Sequence, residues 1–185
     1  MDKQKELIKL EKKVQKLKKH FPLAKKAVMG EGNLDSKIVF FGEAPGKVEN
    51  ETGRPFVGRA GKFLDKMLSS GRIRRKEIFI ASGIVKFYPG RRAPTPKEIE
   101  LCLPYTLKQI AIIKPKLTVL LGNVAIKSLL DRRLEVSKIH GKLFRTARGV
   151  FFPTFHPSAA MRFPVVRKKM ENDFRKLKKV IHEIE

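Results

Sequence analysis

The chain has 185 residues with 42% hydrophobic content, so residues 1–185 suit one globular domain and leave too little chain for a second core. No apolar run reaches the roughly 18 residues of a membrane-spanning helix, and the charged start lacks the apolar run of a signal peptide. We therefore expect a soluble intracellular protein without membrane contact, cytoplasmic if prokaryotic. The formal net charge of +24 favours a nucleic acid as partner, while a lysine-rich solvated surface like that of thermophile proteins is the alternative.

Runs of apolar residues predict four strands. These runs lack the polar alternation of a half-exposed strand, and this is typical of strands that are covered on both faces. In chain order they are Ile38–Phe41, residues 78–80 continuing toward Val85, Leu117–Leu121, and residues 150–152 continuing to Phe155.

Helical spacing of apolar residues lies before, between and after these strands. The predicted helices cover residues 2–19, 60–68, 96–110 with Thr95 as the cap, a short segment capped by Asn123 and ending at Leu130, and residues 166–181. Because strands and helices alternate, the predicted fold class is α/β, a three-layer α/β/α sandwich around a four-stranded, mainly parallel sheet.

Glycine-rich and polar segments follow the first and last strands, at the sheet edge where ligands bind in open parallel sheets. Gly42-Glu-Ala-Pro-Gly46 places a carboxylate between glycines that allow close backbone approach, and Thr154-Phe-His-Pro-Ser158 places an imidazole at a strand end. Residues 53–58 hold an aromatic ring on a stiff loop, and Arg59 opens a helix whose amides can receive a phosphate. Taken alone, such loops are ordinary turns in most proteins.

Taken together and in their order, these segments resemble family 4 of the uracil-DNA glycosylases, the iron-sulfur branch of that superfamily. The resemblance runs from about residue 32 to residue 162, and it rests on residues 42–46, 49, 53–61, 84–86, 94–96, 121–122 and 155–158. It implies a DNA glycosylase of base excision repair, which hydrolyses the N-glycosidic bond of a flipped-out uracil in DNA and leaves an abasic site.

The resemblance also implies roles for residues that surround the base. The backbone at Gly42, Glu43 and Ala44 would contact the uracil carbonyls, and Phe56 would stack on the ring. His156 would donate a hydrogen bond to O2, which stabilises the negative charge that develops on the departing base.

A carboxylate beside the sugar would complete the chemistry. It would stabilise the oxocarbenium-like sugar and orient the attacking water. Glu43 is the first candidate and Glu49 the second. The alternative for either residue is that its carboxylate only holds the glycine-rich loop by accepting backbone amides.

Contacts to the rest of the DNA are implied for residues around the site. These candidates are Arg59, Gly61, Lys86, Arg91, Arg92, Ser158, Met161 and Arg162. Either Met161 or Arg162 would enter the minor groove and wedge where the base has left. Arg91 and Arg92 would contact phosphate, with a solvated basic loop as the alternative.

The chain departs from family 4 at the metal cluster. Family 4 enzymes hold a 4Fe-4S cluster on four cysteines, whereas Cys102 is the only cysteine here, and Phe87 stands where the third would be. We therefore expect no cofactor and no bound metal, with Phe87 and neighbouring apolar groups filling the space of the cluster.

A second departure concerns the reading of the base. Relatives place an asparagine just before the Ile-Val-Lys stretch, where its amide reads the uracil edge, but this chain has Ser82 and Gly83. Ser82 offers a single hydroxyl and cannot reproduce the paired donor and acceptor of an amide. The loop at residues 90–95 also has no histidine for covalent capture of DNA, so we expect ordinary turnover.

Three functions therefore remain open from the sequence. The first is a uracil-DNA glycosylase, the second a glycosylase of the same fold for another deaminated base such as hypoxanthine, and the third a non-catalytic basic nucleic-acid-binding module. Retention of both Glu43 and His156 argues against the third. The expected partner is DNA that contains a damaged or deaminated base, bound by a monomer.

Overall fold

The four apolar runs form the centre of one sheet in the computed structural model, which describes residues 2–184. The strands are β1 (Gly30–Gly32), β2 (Ile38–Phe41), β3 (Phe79–Ala81), β4 (Leu117–Leu121), β5 (Phe144–Thr146) and β6 (Gly149–Thr154). Their order across the sheet is β1-β3-β2-β4-β6-β5. Strands β3, β2, β4 and β6 run parallel, whereas β1 and β5 pair antiparallel along the two edges.

The sheet has six strands rather than the predicted four. The additional strands β1 and β5 are Gly-Glu-Gly and Phe-Arg-Thr, and neither carries a continuous apolar run, because an edge strand is partly solvated. Strands β3 and β6 end at Ala81 and Thr154, short of the predicted Val85 and Phe155, since the chain leaves the sheet there to form loops. The mainly parallel sheet is confirmed.

The helices alternate with the strands, as predicted. They are α1 (Lys3–Gln15), α2 (Lys47–Thr52), α3 (Arg59–Ser70), α4 (Pro96–Ile113), α5 (Asn123–Leu129), α6 (Val136–Ile139), α7 (Pro157–Arg162) and α8 (Pro164–Ile184), with 3-10 turns at Lys16–His20 and Arg75–Glu77. Thr95 caps α4 in a capping box with Glu98. The N-cap of α5 is Gly122 and not the predicted Asn123, whose side-chain oxygen instead accepts from the Val136 amide at 2.8 Å.

Strand β2 shows how both faces of the sheet are covered. Phe40 packs on one face with Leu64 of α3 and Phe174 of α8. Phe41 packs on the opposite face with Ile126 of α5. Helices on both faces of one sheet confirm the α/β/α sandwich. Within residues 2–184, no helix is long and apolar enough to cross a membrane.

Candidate active site

The carboxyl ends of the parallel strands bring the predicted catalytic segments to one edge of the sheet. Residues 42–46 follow β2, residues 82–86 follow β3, and residues 155–158 follow β6. A cavity of about 360 Å³ opens between them. The residues that line it are 44–49, Phe56, 58–60, Ser82, His156 and Ser158.

Glu43 lies two residues after β2 ends at Phe41, and the next residue, Ala44, is the first that lines the cavity. Its carboxylate is partly buried and makes no hydrogen bond to any residue between 2 and 184. This burial raises the pKa of the Glu43 carboxyl group. A carboxylate without a structural partner is free to act on a ligand, as a charge or as a proton acceptor.

The backbone of Glu43 is held by the loop that follows β3. The Ile84 amide donates to the Gly42 carbonyl at 3.2 Å, and the Val85 amide donates to the Glu43 carbonyl at 3.1 Å. Gly83 lies directly against this segment, because a Cβ at position 83 would come within 2.4 Å of the Glu43 carbonyl carbon. Gly83 thus lets the two loops touch.

The Ser82 hydroxyl is already hydrogen-bonded within the protein. Its hydroxyl is buried and donates to the Val28 carbonyl, so only its oxygen lone pairs remain for a base. The residues that line the cavity include neither asparagine nor glutamine. Among the described residues, none that lines the cavity therefore offers the paired donor and acceptor of a side-chain amide.

His156 is fixed in one tautomer by the turn that follows it. The Ser158 backbone amide donates to His156 Nδ1 at 3.2 Å, and the Ser158 hydroxyl lies 2.7 Å from the same nitrogen. Because Nδ1 accepts, the ring proton is carried by Nε2, which is then a donor toward the cavity. Desolvation lowers the pKa of His156 to about 4, so the ring is neutral at pH 7.

Phe56 lies beside His156, with 6.1 Å between the two ring centroids. Its backbone has a φ of 49°, which is strained for a bulky residue. Two glycines make this conformation possible: a Cβ at Gly42 would come within 2.6 Å of the Phe56 ring, and a Cβ at Gly61 within 1.9 Å of its carbonyl oxygen. The predicted stacking residue is therefore held rigidly at the cavity wall.

Arg75 supports the Phe56 loop and was not predicted from the sequence. Its guanidinium donates to the Phe56 carbonyl at 3.2 Å and to the Pro55 carbonyl at 2.9 Å, and it pairs with Asp65 at 2.7 Å. In the sequence, Arg75 stands within a basic run typical of a solvated surface. Only the fold brings it to the loop.

The Glu49 carboxylate accepts backbone amides of the neighbouring loop, which was the structural alternative to a catalytic role. Its carboxylate accepts from the Val57 amide at 3.0 Å and from the Gly58 amide at 2.8 Å, which ties α2 to the start of α3. The same carboxylate lines the cavity and is only 8% exposed. Glu49 therefore shapes the Phe56 loop, whereas Glu43 is the carboxylate without a structural partner.

Replacing Glu49 by alanine is expected to lower the free energy of unfolding by about 2–3 kcal/mol, because two partly buried amides lose a charged acceptor. Chemical denaturation measures this loss. Glu51→Ala on the same helix is the matched control, since its ion pair with Lys25 is exposed and such pairs contribute about 0–1 kcal/mol. Equal losses in the two variants would contradict the role of Glu49.

Most of the predicted DNA-binding residues are accessible to solvent, and two of them line the cavity. Arg59 and Ser158 line it, and the exposed or partly exposed remainder comprises Arg91, Arg92, Met161 and Arg162. Arg92 forms a two-point ion pair with Glu98 at 2.7 and 2.8 Å, which leaves Arg91 as the better placed of the two for phosphate.

The segment after α7 also exposes apolar side chains that the sequence did not single out. Phe163 and Val165 are 53% and 68% exposed, directly beyond Arg162. A Phe-Pro-Val sequence is typical of a buried segment or of the start of a helix. Only the fold shows that Phe163 and Val165 face solvent here. This end of the molecule therefore presents both basic and apolar groups.

Two predicted DNA-binding residues are buried inside the protein in this structure. Lys86 is completely buried, and its ammonium is enclosed by protein groups. Gly61 is buried in the first turn of α3, where it makes room for the Phe56 carbonyl. Neither residue can contact a phosphate from this position.

The region expected to replace a metal cluster is apolar. Phe87 stacks on Phe21 with a centroid distance of 4.7 Å, in a buried cluster that includes Val14 of α1 and Cys102 of α4. Among residues 2–184, no group of three or more histidine, cysteine or acidic side chains is placed to hold a metal. One thiol within an aromatic cluster does not fit an iron-sulfur cluster, which needs several thiolates.

Comparisons with known proteins match most of the chain. The model of the uracil-DNA glycosylase superfamily matches residues 29–181. The type-4 uracil-DNA glycosylase of Thermotoga maritima is 43% identical over 137 residues, which cover 73% of this chain and 71% of the relative. The type-4 enzyme of Pyrobaculum aerophilum is 39% identical over 157 residues, covering 80% of each chain. That of Sulfurisphaera tokodaii is 39% identical over 163 residues, covering 83% of this chain and 74% of the relative.

Proposed function

Because this chain belongs to the uracil-DNA glycosylase superfamily, we propose that it is a uracil-DNA glycosylase of base excision repair, which hydrolyses the N-glycosidic bond of uracil in DNA and leaves an abasic site. The observation that carries this proposal is the neutral His156 ring beside Phe56, whose Nε2–H is left as a donor by the Ser158 contacts. The free carboxylate of Glu43 lies next to Ala44, which lines the same cavity. Relatives named type-4 uracil-DNA glycosylase support it.

On the base side, a flipped uracil would stack on Phe56 and receive hydrogen bonds from the backbone around Ala44. When the bond between C1′ and N1 breaks, its electron pair remains on the base, and negative charge develops at the uracil oxygens. The Nε2–H of His156 would stabilise this charge at O2. The neutral imidazole can stabilise this charge through a hydrogen bond alone, because it need not transfer its proton to the departing base.

On the sugar side, Glu43 would face an oxocarbenium-like centre. Its negative charge would stabilise the positive charge at C1′ and hold a water molecule by accepting one of its protons. Once the bond to N1 has broken, the water oxygen adds to C1′ as one water proton passes to the carboxylate, and the uracil anion is protonated by solvent. Glu49 would act indirectly, since its carboxylate is engaged by the Val57 and Gly58 amides.

A second candidate function is removal of another deaminated base, such as hypoxanthine. Three features support this second function. No asparagine or glutamine lines the cavity, the Ser82 hydroxyl donates to the Val28 carbonyl, and position 83 is a glycine. A site without a side-chain amide discriminates less strongly between the edges of deaminated bases. Uracil remains the first substrate, because the relatives are named for it.

Release assays on otherwise identical oligonucleotides distinguish these functions. Each duplex carries one uracil, hypoxanthine, xanthine or mismatched thymine, and alkaline cleavage reports the abasic site. We expect strand cleavage at uracil, with hypoxanthine as the second substrate. Binding of all duplexes without cleavage of any would identify a nucleic-acid-binding module instead.

The pH dependence follows from the two shifted groups. Glu43 has a pKa raised by burial, so as pH falls it is protonated earlier than an ordinary glutamate, and the rate of uracil release should decline on the acid side above pH 4.5. His156 titrates at about 4, so no second step should occur near 6.5. Single-turnover rates against pH test this. Glu43→Gln should remove the acid decline, and a step near 6.5 that persists in Glu43→Gln would contradict the neutral histidine.

We further propose that the protein acts as one monomeric domain without an iron-sulfur cluster. The apolar packing of Phe87 against Phe21 and the single cysteine both support the absence of a cluster. Protein purified without oxygen should show no visible absorption band and no bound iron. A band that bleaches on reduction, together with several iron atoms per chain, would overturn the proposal.

We also propose that Arg59, Arg91, Ser158, Met161 and Arg162 contact the DNA around the extruded base. Their support is that all five are accessible, that Arg59 and Ser158 line the cavity, and that the chain has a high positive charge.

A further inference from the structure

Lys86 is a charged residue in the protein interior. It has no exposed surface, and its Nζ donates to the Gly83 carbonyl at 2.6 Å and to Gln109 Oε1 at 2.9 Å. The ammonium also lies 5.0 Å from the centre of the Phe41 ring. A buried ammonium is costly unless its donors are satisfied, and an apolar residue of the same volume would fill this space without that cost. Its contacts therefore indicate a role beyond packing.

Helix α4 supplies the other side of this arrangement. Gln109 accepts from Lys86 and donates through Nε2 to the Met29 carbonyl at 2.9 Å. One turn earlier, the Thr106 hydroxyl donates to the Ile84 carbonyl at 3.0 Å. Two buried polar side chains of α4 thus bind the loop of residues 82–86, directly or through Lys86, and fix it to a long helix.

The same loop is in direct contact with Glu43. A Cβ at Gly83 would lie 2.6 Å from the Glu43 carbonyl oxygen and 2.7 Å from the Ala44 nitrogen. The carbonyl that Lys86 holds belongs to this same Gly83. A displacement of Gly83 must therefore move the peptide between Glu43 and Ala44, which we place at the base and the sugar.

We propose that Lys86 is a positioning residue, which together with Gln109 and Thr106 holds the loop of residues 82–86 and, through Gly83, the Glu43–Ala44 peptide in its reactive geometry. This inference rests on the proposed glycosylase function. Lys86 would not touch DNA, so it would act on the chemical step and not on DNA affinity. Misplacement of a catalytic group by about 1 Å lowers a rate by about 100-fold, which sets the size of the effect.

The test compares three variants after thermal unfolding has shown that each is folded at the assay temperature. Lys86→Met removes the ammonium at similar volume. Thr106→Val removes the Ile84 bond at nearly identical shape, so it perturbs the loop more mildly and remains informative if Lys86→Met does not fold. Lys108→Met on the exposed side of α4 is the control for loss of one positive charge.

Two readouts are measured on the full chain. Single-turnover uracil release should fall about 10- to 100-fold in Lys86→Met and less in Thr106→Val, while the Kd for uracil-containing duplex stays within about twofold. Amide hydrogen exchange should accelerate over residues 42–46 in both variants and stay unchanged in Lys108→Met.

Folded Lys86→Met protein with the wild-type rate and wild-type exchange over residues 42–46 would overturn the inference. A raised Kd with an unchanged rate would also overturn it, because Lys86 would then act on DNA binding. If the wild-type protein releases no base, the glycosylase proposal fails. In that case the exchange measurement still decides whether Lys86 fixes the Glu43 segment.

Discussion

Replacing His156 by alanine should slow single-turnover release of uracil about 100- to 1,000-fold, since removal of one donor to a developing oxyanion has an effect of this size. The variant lacks the Nε2–H that the Ser158 contacts leave available to the base. Binding of the DNA should change little, because the donor acts mainly when charge develops on the base. The rate is measured with enzyme in excess over a uracil-containing duplex.

Two further variants give this prediction its controls. Ser158→Ala removes the hydroxyl near Nδ1 but keeps the backbone amide bond, so its loss should be much smaller than that of His156→Ala. Glu43→Gln keeps the shape of the side chain and removes its charge. Its single-turnover rate of uracil release should fall about 100- to 10,000-fold, the range for a positioned acid or base. Unchanged rates in both His156→Ala and Glu43→Gln would show that the site is assigned wrongly.

Replacing Phe87 by alanine should lower the free energy of unfolding by about 3–5 kcal/mol, the usual cost of truncating a fully buried aromatic residue. Phe87 has no exposed surface, and its ring stacks on Phe21 between α1 and α4. The truncation would leave a cavity in the aromatic cluster between α1 and α4. Urea denaturation with and without the substitution measures the loss.

Leu107→Ala is the matched control for Phe87→Ala. Leu107 lies on α4 but is 46% exposed, so its truncation should change the free energy of unfolding by only about 0.5 kcal/mol. If Phe87→Ala cost less than about 1 kcal/mol, the aromatic stack would not be the element that replaces the cluster.

The location of the cavity was predictable from the sequence because the cavity lies at the strand ends. Gly42 and His156 each follow an apolar run, and parallel strands place their carboxyl ends at the same edge of the sheet. Phe56 lies at the same edge because its loop leads into α3. The edge strands β1 and β5 were missed because their residues carry no apolar run.

The roles of the charged residues were less predictable, because they depend on partners that are distant in sequence. Lys86 looks like a surface lysine until Gln109, 23 residues away, is placed beside it. Arg75 stands in a basic run, and only its contacts with Pro55 and Phe56 reveal its function in the loop. In each case the sequence carries the charge, but burial and hydrogen bonding arise from tertiary packing.

The most direct test is a time course of free uracil released from a uracil-containing duplex, with the base identified by mass spectrometry. We predict that the wild-type protein releases uracil over many turnovers, and that a variant combining Glu43→Gln and His156→Ala binds the same duplex but releases almost none. Tight binding by the wild-type protein with no free base over the full course would contradict the glycosylase function.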